Sequence, residues 1–150
     1  VVRSRGLGDV YKRQVLSVVN DLLAVGDLQP QDIGVISPYN GQVRELVRLF
    51  ESAGGREPGQ PYHGLEIKSV DGYQGREKEV IVFSTVRANE RGEVGFLADY
   101  RRLNVAITRA KRGLILLGHP TTLRHDGTWK SYLDWIDEHQ LFAWHVTHSS

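Results

Sequence analysis

The stretch Val80–Val86, reading VIVFSTV, is apolar almost without interruption. A strand with one face in water alternates apolar and polar residues, so this run belongs in a sheet covered on both sides. Ile33–Ile36 (IGVI) and Leu114–Leu117 (LILL) are further short buried strands, and Leu65–Ser69 completes the set. Amphipathic segments stand between them. Val15, Val18, Val19, Leu22 and Leu23 fall at helical spacing over 15–25, stopped by Gly26. Val43, Leu46, Val47 and Phe50 repeat at i, i+3, i+4, i+7, with Asn40 as the expected N-cap and Gly54–Gly55 as the end. A third helix is expected over Tyr100–Lys111, capped by Asp99 and closed by Gly113. A fourth follows Thr128, with Trp129, Tyr132, Leu133 and Ile136 on one face. Residues 70–79 read as a polar turn, and 54–64 and 87–98 as Gly-containing loops. The alternation predicts an α/β fold, a mostly parallel sheet with helices on both faces.

Composition narrows the class. The 150 residues are 40% hydrophobic and 25% charged, which excludes a disordered chain, a collagen-like repeat and a coiled-coil rod. No apolar run approaches the length of a bilayer span, so no membrane partner is expected. Cysteine is absent, which excludes disulfides and thiolate metal sites and fits a reducing compartment, the cytoplasm or nucleus. The six histidines show no metal-ligand spacing, and no metal site is expected. Net charge is +1, of which residues 1–14 carry +3, so the remainder is −2 and net charge gives no support to a nucleic-acid partner. The chain opens on Val1 and holds no methionine, so it is expected to be a fragment. Residues 1–14 have no apolar periodicity, and RGLGDVYKRQ is similar to translated adapter sequence. They are expected to be a non-native or disordered arm, with the domain over 15–142 and a frayed tail over 143–150.

In open parallel sheets ligands gather in loops at the carboxyl ends of strands. Ser69–Glu77 (SVDGYQGRE) is crowded with hydrogen-bonding groups: it is either a phosphate-binding loop or a capped surface turn with charge pairs among Arg76, Glu77, Lys78 and Glu79. Arg101, Arg102, Arg109, Lys111 and Arg112 cluster on or beside one expected helix. Either Arg109, Lys111 and Arg112 favour its C-terminal dipole, or one of the five meets an anion. Tyr39, after Pro38, either stacks on a base or packs. The GxxxxGK[ST] phosphate loop is absent, so an ATPase cannot be complete within these residues.

Three blocks carry a family resemblance. IGVISPYNGQ resembles motif IV of the superfamily 1B helicases, SVDGYQGREKEVIVFSTVRAN resembles motif V, and RRLNVAITRAKRG resembles motif VI, in the family's order. VRANE and RRLNVA lean towards the nonsense-mediated-decay branch of that family, EIKSVDG and GEVGFL towards the immunoglobulin mu-binding branch. The resemblance implies a RecA-like P-loop NTPase fold: the C-terminal lobe of a two-lobe helicase, truncated at its start, with ATP between the lobes and single-stranded RNA or DNA across them. It implies that Arg109 is the arginine finger, that Glu77 contacts the nucleotide, and that Gln74, Gly75 and Arg76 shape that loop. Ser37, Pro38 and Tyr39, with Ser69 and Asp71, fall where the family contacts the nucleic-acid backbone. The partners implied are the strand and the first lobe of the same parent chain. ATP and Mg²⁺ are the implied cofactors, the metal held mainly by that first lobe. The rival expectations are a non-enzymatic α/β nucleic-acid-binding module and the helicase portion of a nuclease-fused enzyme.

Overall fold

The computed structural model of the chain describes residues 2–37, 39–70, 72–73, 77–84 and 109–117. Among them are helices α1 (Val2–Ala24) and α2 (Asn40–Ser52), a 3₁₀ turn at Pro30–Asp32, and strands β1 (Ile33–Ser37), β2 (Glu66–Ser69), β3 (Lys78–Ser84) and β4 (Ala110–Leu117). The strands form one sheet in the order β2-β1-β3-β4, and every pair is parallel. The α/β class read from the sequence is the observed one.

Both faces of the sheet are dry, as the unbroken apolar runs require. All five residues of β1 are buried. On one face Val35, Val82, Ile115 and Leu117 pack with Val15, Val18 and Val19 of α1 and Leu46 and Phe50 of α2. On the other, Ile36, Ile81, Phe83 and Tyr73 are at most 2% exposed. The helices expected over 100–111 and 128–142 lie outside the described residues, except at the end of the first.

There the expectation needs correction. Arg109 sits in a turn, and Ala110 and Lys111 already belong to β4, whose interior includes Gly113. The ladder explains this: Ala110 aligns with Lys78 and Gly113 with Val80, so backbone groups that a helix would satisfy are satisfied by β3. The same pairing starts β3 at Lys78, inside the segment expected to be a turn.

Helix α1 differs as well. It runs from Val2, so residues 2–14 of the arm expected to be non-native or disordered are helical. At its inner end Lys12 donates to Glu45 of α2 at 2.7 Å, which ties this turn to the body. The C-terminal stop at Gly26 holds, with φ +90° and a backbone bond to Leu23. Helix α2 begins one residue earlier than expected: Tyr39 is the N-cap, without a side-chain cap bond, and Asn40 is already helical.

The loop over 54–64 is built rather than loose. Gly55 donates to the Phe50 carbonyl at 2.9 Å and accepts from Tyr62 at 3.0 Å. The Tyr62 ring then meets Phe50 edge-on at 4.9 Å, and its hydroxyl donates to Asn20 of α1 at 2.6 Å. One tyrosine thereby joins the loop to both helices.

Candidate functional site

The parallel sheet has two ends, and the candidate residues divide between them. Ser37 and Ser69 are register partners at the carboxyl ends of β1 and β2. Glu77 and Arg109 immediately precede β3 and β4, at the amino edge. Strand β3 separates the two edges by roughly 20 Å. Among the described candidates, the expectation that functional loops gather at carboxyl ends covers Ser37, Tyr39 and Ser69 but not Glu77 and Arg109.

At the carboxyl edge, Ser37 is fully buried. Its hydroxyl donates to Gln42 Oε1 at 3.0 Å and accepts the Tyr39 N–H at 3.2 Å. Gln42 Nε2 in turn donates to Ser84 Oγ, at the end of β3, at 3.4 Å. Ser37 thus shapes the turn that carries Tyr39, and its side chain is not presented to a ligand. Ser69 has the same role on the neighbouring strand: its hydroxyl and carbonyl both accept from the Gly72 N–H, at 3.1 Å each. Val70 N–H donates to the Ser37 carbonyl at 3.2 Å, so the two turns form one surface. Tyr73 follows, buried against β1 where Gly34 has no side chain. Pro38, Asp71, Gln74, Gly75 and Arg76 lie outside the described residues.

At the amino edge, Glu77 is exposed and Arg109 half-buried. The Lys78 N–H donates to the Arg109 carbonyl at 3.0 Å, which sets the turn ahead of β4 beside the entrance of β3. Arg109 Nε is buried with no hydrogen-bond partner among the described residues. A cationic donor withdrawn from water without an acceptor is unfavourable, and an anion brought to this edge would supply one. The phosphates of ATP have that chemistry. Among the described residues no group of three or more His, Asp or Glu could hold a metal ion. No described helix is long and apolar enough to cross a membrane.

Two residues escaped sequence reading. Gln42 stands outside the turn assigned to the strand, although it bridges the ends of β1 and β3. Lys78 looks in sequence like one of a run of surface charges. It reaches instead to Glu66 and Gln31, while Glu79 pairs with Arg112 at 2.9 Å. The unbroken apolar run VIVFS marks the strand, and nothing in the local sequence marks its charged start at Lys78.

A parallel sheet buried on both faces, with helices packed against it and candidate residues at its two edges, is the architecture of a RecA-like domain. The sequence profile of a family described as an AAA domain matches residues 11–121, and the chain belongs to that family, within the superfamily 1 helicases. It is 44% identical over 116 residues to the Regulator of nonsense transcripts 1 homolog of Drosophila melanogaster, covering 77% of this chain and 10% of that protein. To the ATP-dependent helicase NAM7 of Saccharomyces cerevisiae it is 45% identical over 106 residues, 71% of this chain and 11% of the relative. The DNA polymerase alpha-associated DNA helicase A of the same yeast is 41% identical over 137 residues, 88% of this chain and 19% of the relative. The chain thus spans between a tenth and a fifth of the length of these curated relatives. The resemblance read from motifs IV, V and VI agrees with both the family and the relatives.

Proposed function

We propose that this chain works as the C-terminal RecA-like lobe of an ATP-dependent helicase that moves along single-stranded RNA or DNA. The observation that carries the reading is the buried Nε of Arg109, unpartnered among the described residues, at the amino edge. ATP held by a first lobe presents its γ-phosphate there, and the guanidinium stabilises the charge that develops during phosphoryl transfer. Glu77, with Gln74, Gly75 and Arg76, borders the same nucleotide. Mg²⁺, as the nucleotide's counter-ion, would be held mainly by the first lobe.

At the opposite edge, the turn of Pro38 and Tyr39 and the turn of Ser69 and Asp71 hold the strand by its backbone. Phosphate contacts fix position without reading sequence. Nucleotide binding closes the two lobes and hydrolysis opens them, each step driven by differential contact in the two states. Repetition moves the protein along the strand, in the 5′-to-3′ direction.

The test joins this chain to a first lobe that carries a phosphate-binding loop and measures phosphate release with saturating single-stranded RNA. The chain alone is expected to release none. In the two-lobe protein Arg109→Ala is expected to lower turnover by about two orders of magnitude or more, with nucleotide-free RNA affinity unchanged. Near-normal turnover in that variant refutes the assignment.

A further inference from the structure

Lys78 is the first residue of β3, and the entrances of all four strands meet at it. Its ammonium donates to the Gln31 carbonyl at 2.7 Å, in the 3₁₀ turn that leads into β1. The same Nζ lies 3.3 Å from Oε1 of Glu66, the first residue of β2, and the two side chains are only 12% and 17% exposed. Its backbone N–H holds the Arg109 carbonyl at 3.0 Å, directly before β4. A charge pair shielded from water and oriented by a second acceptor keeps its geometry better than a solvated one.

The ladder leaves work for this contact. Between Lys78↔Ala110 and Val80↔Gly113, β4 carries one residue more than β3. A bulge of this kind loosens pairing locally and re-aims the neighbouring side chain. Beside the bulge, the Lys78 N–H to Arg109 carbonyl bond is the ladder contact that holds the turn carrying Arg109, and the Lys78 side of it is anchored by Glu66 and Gln31.

We propose that Lys78, held by Glu66 and Gln31, is the positioning residue that sets Arg109 against the nucleotide. The inference rests on the reading of Arg109 given above. Lys78 itself touches no substrate; it acts through the Arg109 main chain.

Two experiments test it. In the 150-residue chain, Lys78→Met is expected to speed hydrogen exchange of the residue 78 amide at least tenfold, with Val82 unchanged. Glu66→Gln, which keeps the shape and removes the charge, is expected to act in the same direction and covers the case in which Lys78→Met does not fold. Unchanged exchange at residue 78 in both variants overturns the proposal. In the two-lobe protein, Lys78→Met is expected to lower kcat about tenfold at unchanged KM for ATP and unchanged nucleotide-free RNA affinity. Lys78→Arg is expected to restore most of that loss. In an Arg109→Ala background Lys78→Met is expected to have no further effect, because residues acting as a unit are not additive. Equal losses in both backgrounds, or a loss accompanied by weaker RNA binding, mark a general stability role and overturn it. If Arg109→Ala leaves turnover intact, the helicase reading fails and takes this inference with it. If Arg109→Ala lowers turnover and Lys78→Met does not, the positioning role alone fails.

Discussion

Gly34→Ala is the sharpest perturbation that the packing offers. Gly34 sits in the middle of β1, paired on both sides, with β2 and β3 as neighbours. A Cβ there would meet Ile81 Cδ1 at 2.9 Å and Tyr73 Cζ at 3.0 Å, with the Tyr73 hydroxyl closer still. Neither neighbour can withdraw easily, since Ile81 is fully buried and Tyr73 is 2% exposed. Overpacking of this sort costs about 1–3 kcal/mol, and two simultaneous contacts at or below 3.0 Å put this site near the upper end. For a domain of this size each kcal/mol moves the midpoint by roughly 2–4 °C, so a fall of roughly 6–12 °C is expected. Tyr73→Phe removes the nearest atom. The double variant is therefore expected to recover about 1 kcal/mol relative to the sum of the two single changes. Thermal and urea unfolding of all four proteins closes the cycle. A Gly34→Ala midpoint within about 2 °C of the parent, or strict additivity in the cycle, would refute the claim that Tyr73 occupies the space Gly34 leaves.

Tyr62→Phe keeps the ring against Phe50 and deletes the 2.6 Å bond to Asn20, so it should cost about 1 kcal/mol in urea unfolding. Tyr62→Ala also empties the space beside Phe50 and is expected to cost about 3–5 kcal/mol. Lys12→Ala breaks the pair with Glu45, which is half exposed, and should cost at most about 1 kcal/mol. That difference should shrink when the melts are repeated in high salt. Ser69→Ala removes one of the two acceptors of the Gly72 N–H; single-stranded RNA affinity, measured by fluorescence anisotropy, is expected to fall with little change in melting.

What the sequence revealed and what it hid follow from the range of each interaction. Ile33–Ile36 and Leu65–Ser69 were legible because their apolar character is local, and the observed strands match within a residue. The apolar face of α2 was legible for the same reason: Leu46 and Phe50 repeat within one helix and are both fully buried. The starts of β3 and β4 were not legible. Lys78 and Ala110 pair across 32 positions, and nothing within either segment announces the other. Charged residues there suggested a turn and a helix end, whereas the long stem of Lys78 reaches a carboxylate two strands away. The site candidates were legible as motif residues, but not their division between the two edges. A segment joining parallel strands starts at one edge and ends at the other, so Ser69 and Glu77 share a motif and stand at opposite ends of the sheet. Ser37 shows a related limit: a hydroxyl after a strand suggests a ligand, and only burial reveals that Gln42 and Tyr39 already occupy it.

The strand order has a consequence for how the chain reaches this state. Strand β3 lies between β1 and β4, yet it follows β2 in sequence, with Ile33 aligned to Val80 and Val80 to Gly113. During synthesis β1 and β2 emerge first and can pair, leaving the inner edge of β1 open until Lys78–Ser84 arrives. That edge belongs to a wholly buried strand, and the segment that must fill it, VIVFS, is itself strongly β-prone. Pairing over such separations is slow, because loop closure precedes any gain from contact. The nascent chain therefore passes through a stage in which two mutually adhesive strands are exposed at once, the condition under which neighbouring chains associate with one another. Aggregation during expression should consequently respond to polar substitutions within VIVFS far more than to equal changes in β2, which is short and carries the exposed Lys68.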